Sequence, residues 1–135
     1  MPGSIRLHEL SLCMNLVEQL SALCRRHGAR SVARVEVEVG MLSGVEALLL
    51  EEAFPFAAAA SLAAGAQLVT TVVPPRIRCR NCGEEAEAAP SRLGCPACAS
   101  FDTELVRGHE LSIARVELVR EDPPTNGAEE KNDVH

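Results

Sequence analysis

"CRNCGEEAEAAPSRLGCPAC", residues 79–98, holds four of the six cysteines in a 135-residue chain. They fall in two Cys-x-x-Cys pairs, Cys79/Cys82 and Cys95/Cys98, with twelve residues between. Two such knuckles can bring four thiolates to one point, and tetrahedral zinc is their usual occupant. Gly83 follows the first pair and Gly94 precedes the second, giving the backbone freedom for tight turns. The stretch between is long enough for a short hairpin, which makes a zinc ribbon. A closed four-sulfur site leaves no coordination position for a substrate, so its work is to hold the fold together. An iron centre of the rubredoxin kind is the main rival, but it is normally wrapped in aromatic side chains. A redox Cys-x-x-Cys pair is a weaker rival, because neither pair opens a helix after a strand.

The rest of the chain frames this module. A length of 135 residues fits one domain with a small appended unit. Hydrophobic residues make up 47% and aromatics only 2%, so the core must be aliphatic. A net charge of −6 lacks the basic face that a general nucleic-acid binder needs. No apolar run approaches the roughly 20 residues that span a bilayer, and no secretory signal pattern opens the chain. The expected compartment is the cytoplasm, where paired cysteines hold metal rather than form disulfides.

From Glu9 to His27, Leu12, Cys13, Leu16, Val17, Leu20, Leu23 and Cys24 recur at helical spacing. Asn15, Glu18, Gln19 and Arg26 then face water, and Arg25–His27 with Gly28 form a stop signal. Cys13 and Cys24 lie on the apolar stripe and are read as core residues. "SVARVEVEVG" alternates Val35, Val37 and Val39 with charges, the pattern of a strand with one buried face. Ser43 and Glu46 have capping-box spacing, predicting a second helix through residues 48–60, kinked or broken at Pro55. "GAQLVTTVVP" reads as a second strand and residues 110–119 as a third, with a phase shift between Ile113 and Ala114 that predicts a bulge. Residues 121–135 are polar and read as a disordered tail. The expected fold is α/β (α+β): a helix-plus-three-stranded-sheet body, residues 1–74 with 107–120, carrying an inserted zinc ribbon, residues 75–106.

Taken alone, His8 and Glu9 are ordinary residues of a helix start, with Glu9 complementing the dipole. The order of "HELSLCMNLVE", "HGARSV", "VEVEVGMLSGVE", "GAQLVTTVVPP", "CRNCG", "CPAC" and "HELSI" changes that reading. Across residues 7–119 the chain resembles the HypA/HybF family, nickel metallochaperones of nickel–iron hydrogenase maturation. The resemblance implies a non-enzymatic transfer protein that carries Ni(II) near its N-terminus through His8 and Glu9, with backbone nitrogens and often the terminal amine. Imidazole and amide nitrogens favour square-planar Ni(II) while thiolates favour Zn(II), so ligand type keeps the two metals apart. Protons compete for those nitrogens, so the nickel site should weaken at low pH. The implied partners are a HypB-type GTPase, docking on the first helix and its surroundings, and the hydrogenase large-subunit precursor. Neither nucleic acid nor membrane is implied, service to urease stays open, and so does a homodimer. Family members begin Met-His-Glu, whereas Leu7 precedes His8 here. Either translation starts at Leu7, the favoured reading, or a six-residue extension deprives His8 of an adjacent amine. His27 reads as a helix-cap cation, His109 as an exposed turn residue and His135 as part of the tail. The competing function is a zinc-ribbon protein–protein adaptor in which His8 and Glu9 do nothing.

Overall fold

The apolar stripe of the N-terminal segment folds as expected into one helix, α1 (Leu7–His27), in a computed structural model that describes residues 6–120 and the backbone of residues 131–134. Cys13, Leu16, Val17, Leu20 and Cys24 are buried along one face, and Glu9 continues that face into the first turn. Gly28 ends the helix in the left-handed conformation at φ 65°, its N–H directed at the carbonyls of Cys24 and Arg25. The last-turn cations Arg25, Arg26 and His27 sit where the dipole favours positive charge.

The strand β1 (Ala29–Gly40) buries Val35, Val37 and Val39, as their alternation requires, and Val32 as well, at the opposite parity. Helix α2 (Ala47–Ala58) then packs against α1 through Leu50, Ala53, Phe54 and Ala58. Pro55 lies inside α2 without breaking it; the helix ends three residues later. The predicted capping box does not form. Ser43 Oγ instead donates to the Gly40 carbonyl at 2.7 Å and accepts the Val45 N–H at 3.2 Å, a turn that closes before the helix begins. Glu46 is the N-cap residue and makes no side-chain cap bond of its own.

Strand β2 (Gln67–Val73) leads through two prolines into the cysteine-bearing segment, where β3 (Arg76–Cys79), β4 (Glu85–Glu87) and β5 (Thr103–Arg107) form a sheet ordered β4-β3-β5. Both pairings are antiparallel, and the β3–β5 register shifts between Arg76 and Ile77. The hairpin expected between the cysteine pairs is reduced to one bridge, Ala89 to Arg92. The ribbon's sheet is built mostly from the strands that flank the pairs. Strand β6 (Leu111–Arg120) exposes Ser112 and Ala114 but buries Val116 and Leu118 at the same parity. Burial thus switches faces along the strand, in keeping with the phase shift in its sequence.

The larger sheet has the order β2-β1-β6-β7, where β7 (Lys131–Val134) pairs antiparallel with β6. Strand β7 falls within the stretch read as a disordered tail and fills part of the edge that β6 offers. Residues 121–130 and 135 of that tail lie outside the described residues.

Two compact units divide the chain. Among the described residues, those up to Val37, Glu46–Thr70 and those from Ile113 on form the first, and Glu38–Val45 with Thr71–Ser112 form the second. The second reaches beyond the 75–106 insertion because backbone bonds recruit its flanks. Met41 N–H donates to Val73 O at 2.9 Å, Leu42 N–H to Gly108 O at 2.8 Å, and Gly40 N–H to Glu110 O at 3.0 Å. Gly40 and Gly108 approach so closely that a Cβ on Gly40 would lie 2.3 Å from the Gly108 carbonyl carbon.

Candidate functional site

The sulfurs of Cys79, Cys82, Cys95 and Cys98 all lie within 4.8 Å of one another. Cys79 Sγ is 3.6 Å from Cys98 Sγ, and Cys82 Sγ is 3.7 Å from Cys95 Sγ. A tetrahedron with metal–sulfur bonds of about 2.3 Å has edges of about 3.8 Å, so the cluster has the size that zinc demands. Each knuckle is braced from within. Cys82 N–H points at Cys79 Sγ at 3.4 Å and Ala97 N–H at Cys95 Sγ at 3.3 Å, while Asn81 Nδ2 donates to Cys98 Sγ at 3.5 Å.

The two knuckles close alike. Gly83 N–H returns to the Cys79 carbonyl at 2.9 Å, and Ala99 N–H to the Cys95 carbonyl at 2.8 Å. Both residues have positive φ, 81° and 67°. The left-handed position of the second knuckle is therefore Ala99, not the predicted Gly94. Gly94 is small for another reason: a Cβ there would lie 2.9 Å from the Phe101 ring.

Electrostatics explains why the cluster calls for a cation. The Asn81 amide first, then the Ser100 backbone N–H, lower the Cys98 thiol to about 6. At Cys82 the Glu84 backbone N–H favours the thiolate, yet desolvation and the three neighbouring sulfurs outweigh it and push that thiol up to about 12. Four thiolates this close repel one another, and a divalent ion replaces their protons. The donor set and spacing fit a structural zinc held by all four cysteines, closed to substrate.

His8 and Glu9 are neighbours with opposite environments. The His8 side chain is 56% exposed at the head of α1, whereas Glu9 is 0% exposed. Glu9 Oε2 accepts the backbone N–H of Glu46 at 3.0 Å, so the first turn of α1 is fastened to the start of α2. His8 Nδ1 lies 3.7 Å from the same oxygen. Arg6 Nε lies 3.6 Å from Oε1, which is buried without a hydrogen bond. The pair is therefore one anchored carboxyl group beside one accessible imidazole.

The family described as "Hydrogenase/urease nickel incorporation, metallochaperone, hypA" matches residues 7–118. The chain belongs to the HypA family. The hydrogenase maturation factor HypA of Nitrosospira multiformis is 40% identical over 113 residues, covering 84% of this chain and 98% of that relative. The HypA of Aquifex aeolicus is 34% identical, covering 83% and 97%. The solution structure of the nickel metallochaperone HypA from Helicobacter pylori superposes with a TM-score of 0.67 at 23% identity, covering 84% of this chain and 98% of that one. A second HypA solution structure gives 0.68 at 24%, covering 88% and 100%. At those identities the structural likeness bears on the fold alone.

The matched stretch, residues 7–118, includes His8, Glu9 and the four cysteines. His27 closes α1 and His109 is an exposed residue between β5 and β6. His135 falls outside the described residues. The Glu9–Glu46 link escapes the sequence reading, although its signal is present: Glu9 precedes Cys13 by four residues and so lies on the buried stripe.

Proposed function

We propose that this chain is a nickel donor in the maturation of nickel–iron hydrogenase, and that nickel is its cargo rather than a resident cofactor. His8 is the side-chain ligand, and backbone nitrogens at His8 and Glu9 complete the set, the Glu9 carboxyl group staying engaged with Glu46. The observation that carries the reading is the contrast within the His8-Glu9 pair. An exposed imidazole can take and release an ion, and the carboxyl group beside it holds the helix start in place. A cation at a helix N-terminus opposes the macrodipole, and the Glu9 carboxylate offsets that repulsion. Exposure suits a donor, because a fully enclosed ion leaves slowly.

In this reading residues 75–106 are the zinc-ribbon domain and 1–74 with 107–120 the nickel-binding domain. Cys79, Cys82, Cys95 and Cys98 would hold a zinc ion that cross-links the ribbon and takes no part in delivery. Thiolate and imidazole donors prefer different ions and geometries, which supports two metals in one chain without exchange. The partners are a HypB-type GTPase and the hydrogenase large-subunit precursor, met in the cytoplasm, with the exposed face of α1 as the GTPase's docking surface. No helix of the described residues is long and apolar enough to cross a membrane.

Calorimetric titration of the zinc-loaded chain with Ni(II), beside His8→Ala, tests the proposal. Nickel heat that vanishes in the variant while the zinc content stays constant is the expected result. Nickel binding indifferent to His8, or absent from the native chain, would leave a zinc-ribbon adaptor as the better account.

A further inference from the structure

Arg6 lies one residue ahead of the stretch that matches the HypA family, residues 7–118, and the nickel reading gives it no task. The structure sets it at the same carboxyl group as His8. Its backbone is the N-cap of α1, and its carbonyl accepts the Leu10 N–H at 3.0 Å. Arg6 Nε lies 3.6 Å from Glu9 Oε1, while His8 Nδ1 lies 3.7 Å from Glu9 Oε2. The guanidinium and the imidazole therefore flank one carboxyl group, within the roughly 10 Å over which charges act at 0.1 M salt. Glu9 Oε1 is buried without a hydrogen bond, and Glu9 is the one acid that Arg6 approaches among the described residues.

A guanidinium keeps its positive charge at every working pH and has no acceptor atom to offer a metal. Resting here, it cancels the negative charge that Glu9 presents to an ion arriving at His8. That ion arrives with two positive charges, whatever protons the site sheds once it is bound. At about 6 Å in water, repulsion between a single and a double charge amounts to roughly a tenfold factor. We propose that Arg6 is a gate on nickel capture, a positioning residue and not a ligand. It rests on Glu9 while His8 is free, keeps the ion scarce at the imidazole, and swings outward when nickel is taken. Its side chain is half-exposed, so the swing requires no repacking of the core. The inference rests on the proposed role of His8 and adds the residue that meters its loading.

Stopped-flow mixing of the full zinc-loaded chain with Ni(II) measures the capture rate. Arg6→Gln should capture nickel about tenfold faster than the native chain at about 10 mM salt. The advantage should shrink below about twofold at about 0.5 M salt, where the charge is screened. Arg6→Lys, which keeps the charge, should capture at about the native rate. Capture that is unchanged or slower in Arg6→Gln overturns the gate, and so does a rate ratio indifferent to salt, which marks a purely structural residue. His8→Ala separates this inference from the one beneath it. Capture lost in His8→Ala, with equal rates for the native chain and Arg6→Gln, removes the gate alone. Capture indifferent to His8 removes the nickel reading and the gate together. Protein from native cells that begins at Leu7 also overturns the gate, because Arg6 is then absent.

Discussion

Glu9 shows how burial assigns different work to adjacent residues. A carboxyl group at 0% exposure is tolerable only when the structure answers it, and the Glu46 N–H does so at 3.0 Å. Glu9→Ala should cost about 2 kcal/mol in urea-denaturation free energy, since it strands the Glu46 N–H and leaves a void beneath α1. His8→Ala, on an exposed side chain, should change stability by less than about 0.5 kcal/mol in the same measurement. Cys13 adds a pH dependence. Burial first, and the Glu9 carboxylate second, push its thiol from an ordinary value of 9.0 up to about 11. As the pH climbs the unfolded chain loses this proton before the folded one. The stabilising contribution is therefore whole below pH 9.0 and is lost progressively towards about 11. Denaturation curves across that window should fall more steeply for the native chain than for Cys13→Ala. The stripe that buries Cys13, Leu16, Val17, Leu20 and Cys24 was legible from spacing alone. The place of Glu9 on it was not, because an acid in a first turn is ordinarily explained by the dipole.

Among the elements, those governed by periodicity follow their pattern closely: α1, β1, β2 and β6 lie where the apolar residues recur. What departs is set by contacts distant in sequence. Ser43 and Glu46 have the spacing of a capping box, but the carboxyl group at the start of α2 comes from Glu9, 37 residues earlier. Ala99 adopts φ 67° because the second knuckle must close on the Cys95 carbonyl, whatever residue follows the cysteine pair. Gly40 is the sharper case. A Cβ there would meet the backbone of Gly108 at 2.3 Å, and backbone cannot rotate aside. Gly40→Ala should destabilise the cysteine-bearing unit by about 3 kcal/mol or more, read as a drop in its melting temperature. Nothing in the local sequence of Gly40 announces this, since the partner arrives from 68 residues further on.

For the molecule as a whole, the four-cysteine cluster divides the sources of stability. The first unit rests on the packing of α1 against α2 and on the buried valines of β1. The second unit buries few large residues, Ile77 foremost, beneath a surface ladder in which Arg76, Arg78 and Arg80 pair with Glu85, Asp102 and Glu104. Exposed pairs of this kind contribute roughly 0–1 kcal/mol each, so a zinc ion on the four cysteines would add a large share of that unit's stability. A strong chelator should abolish hydrogen-exchange protection across residues 76–107 while the helical circular-dichroism signal of α1 and α2 persists. Simultaneous loss of both would show that the zinc cluster stabilises the whole chain. Composition suggests a cysteine module over residues 75–106, whereas the second compact unit takes Glu38–Val45 with Thr71–Ser112. The recruitment of residues 38–45 into that unit was not legible in the sequence, because it depends on backbone bonds to Val73, Gly108 and Glu110.

The sulfur geometry has one more consequence, for handling the protein in air. Two close sulfur pairs link different knuckles, Cys79 with Cys98 at 3.6 Å and Cys82 with Cys95 at 3.7 Å. Once the ion is stripped, an oxidant finds these pairs already side by side and joins the knuckles crosswise. The resulting covalent bridges block re-metallation until a reductant cleaves them, so demetallation that is reversible under argon becomes a one-way trap in oxygen.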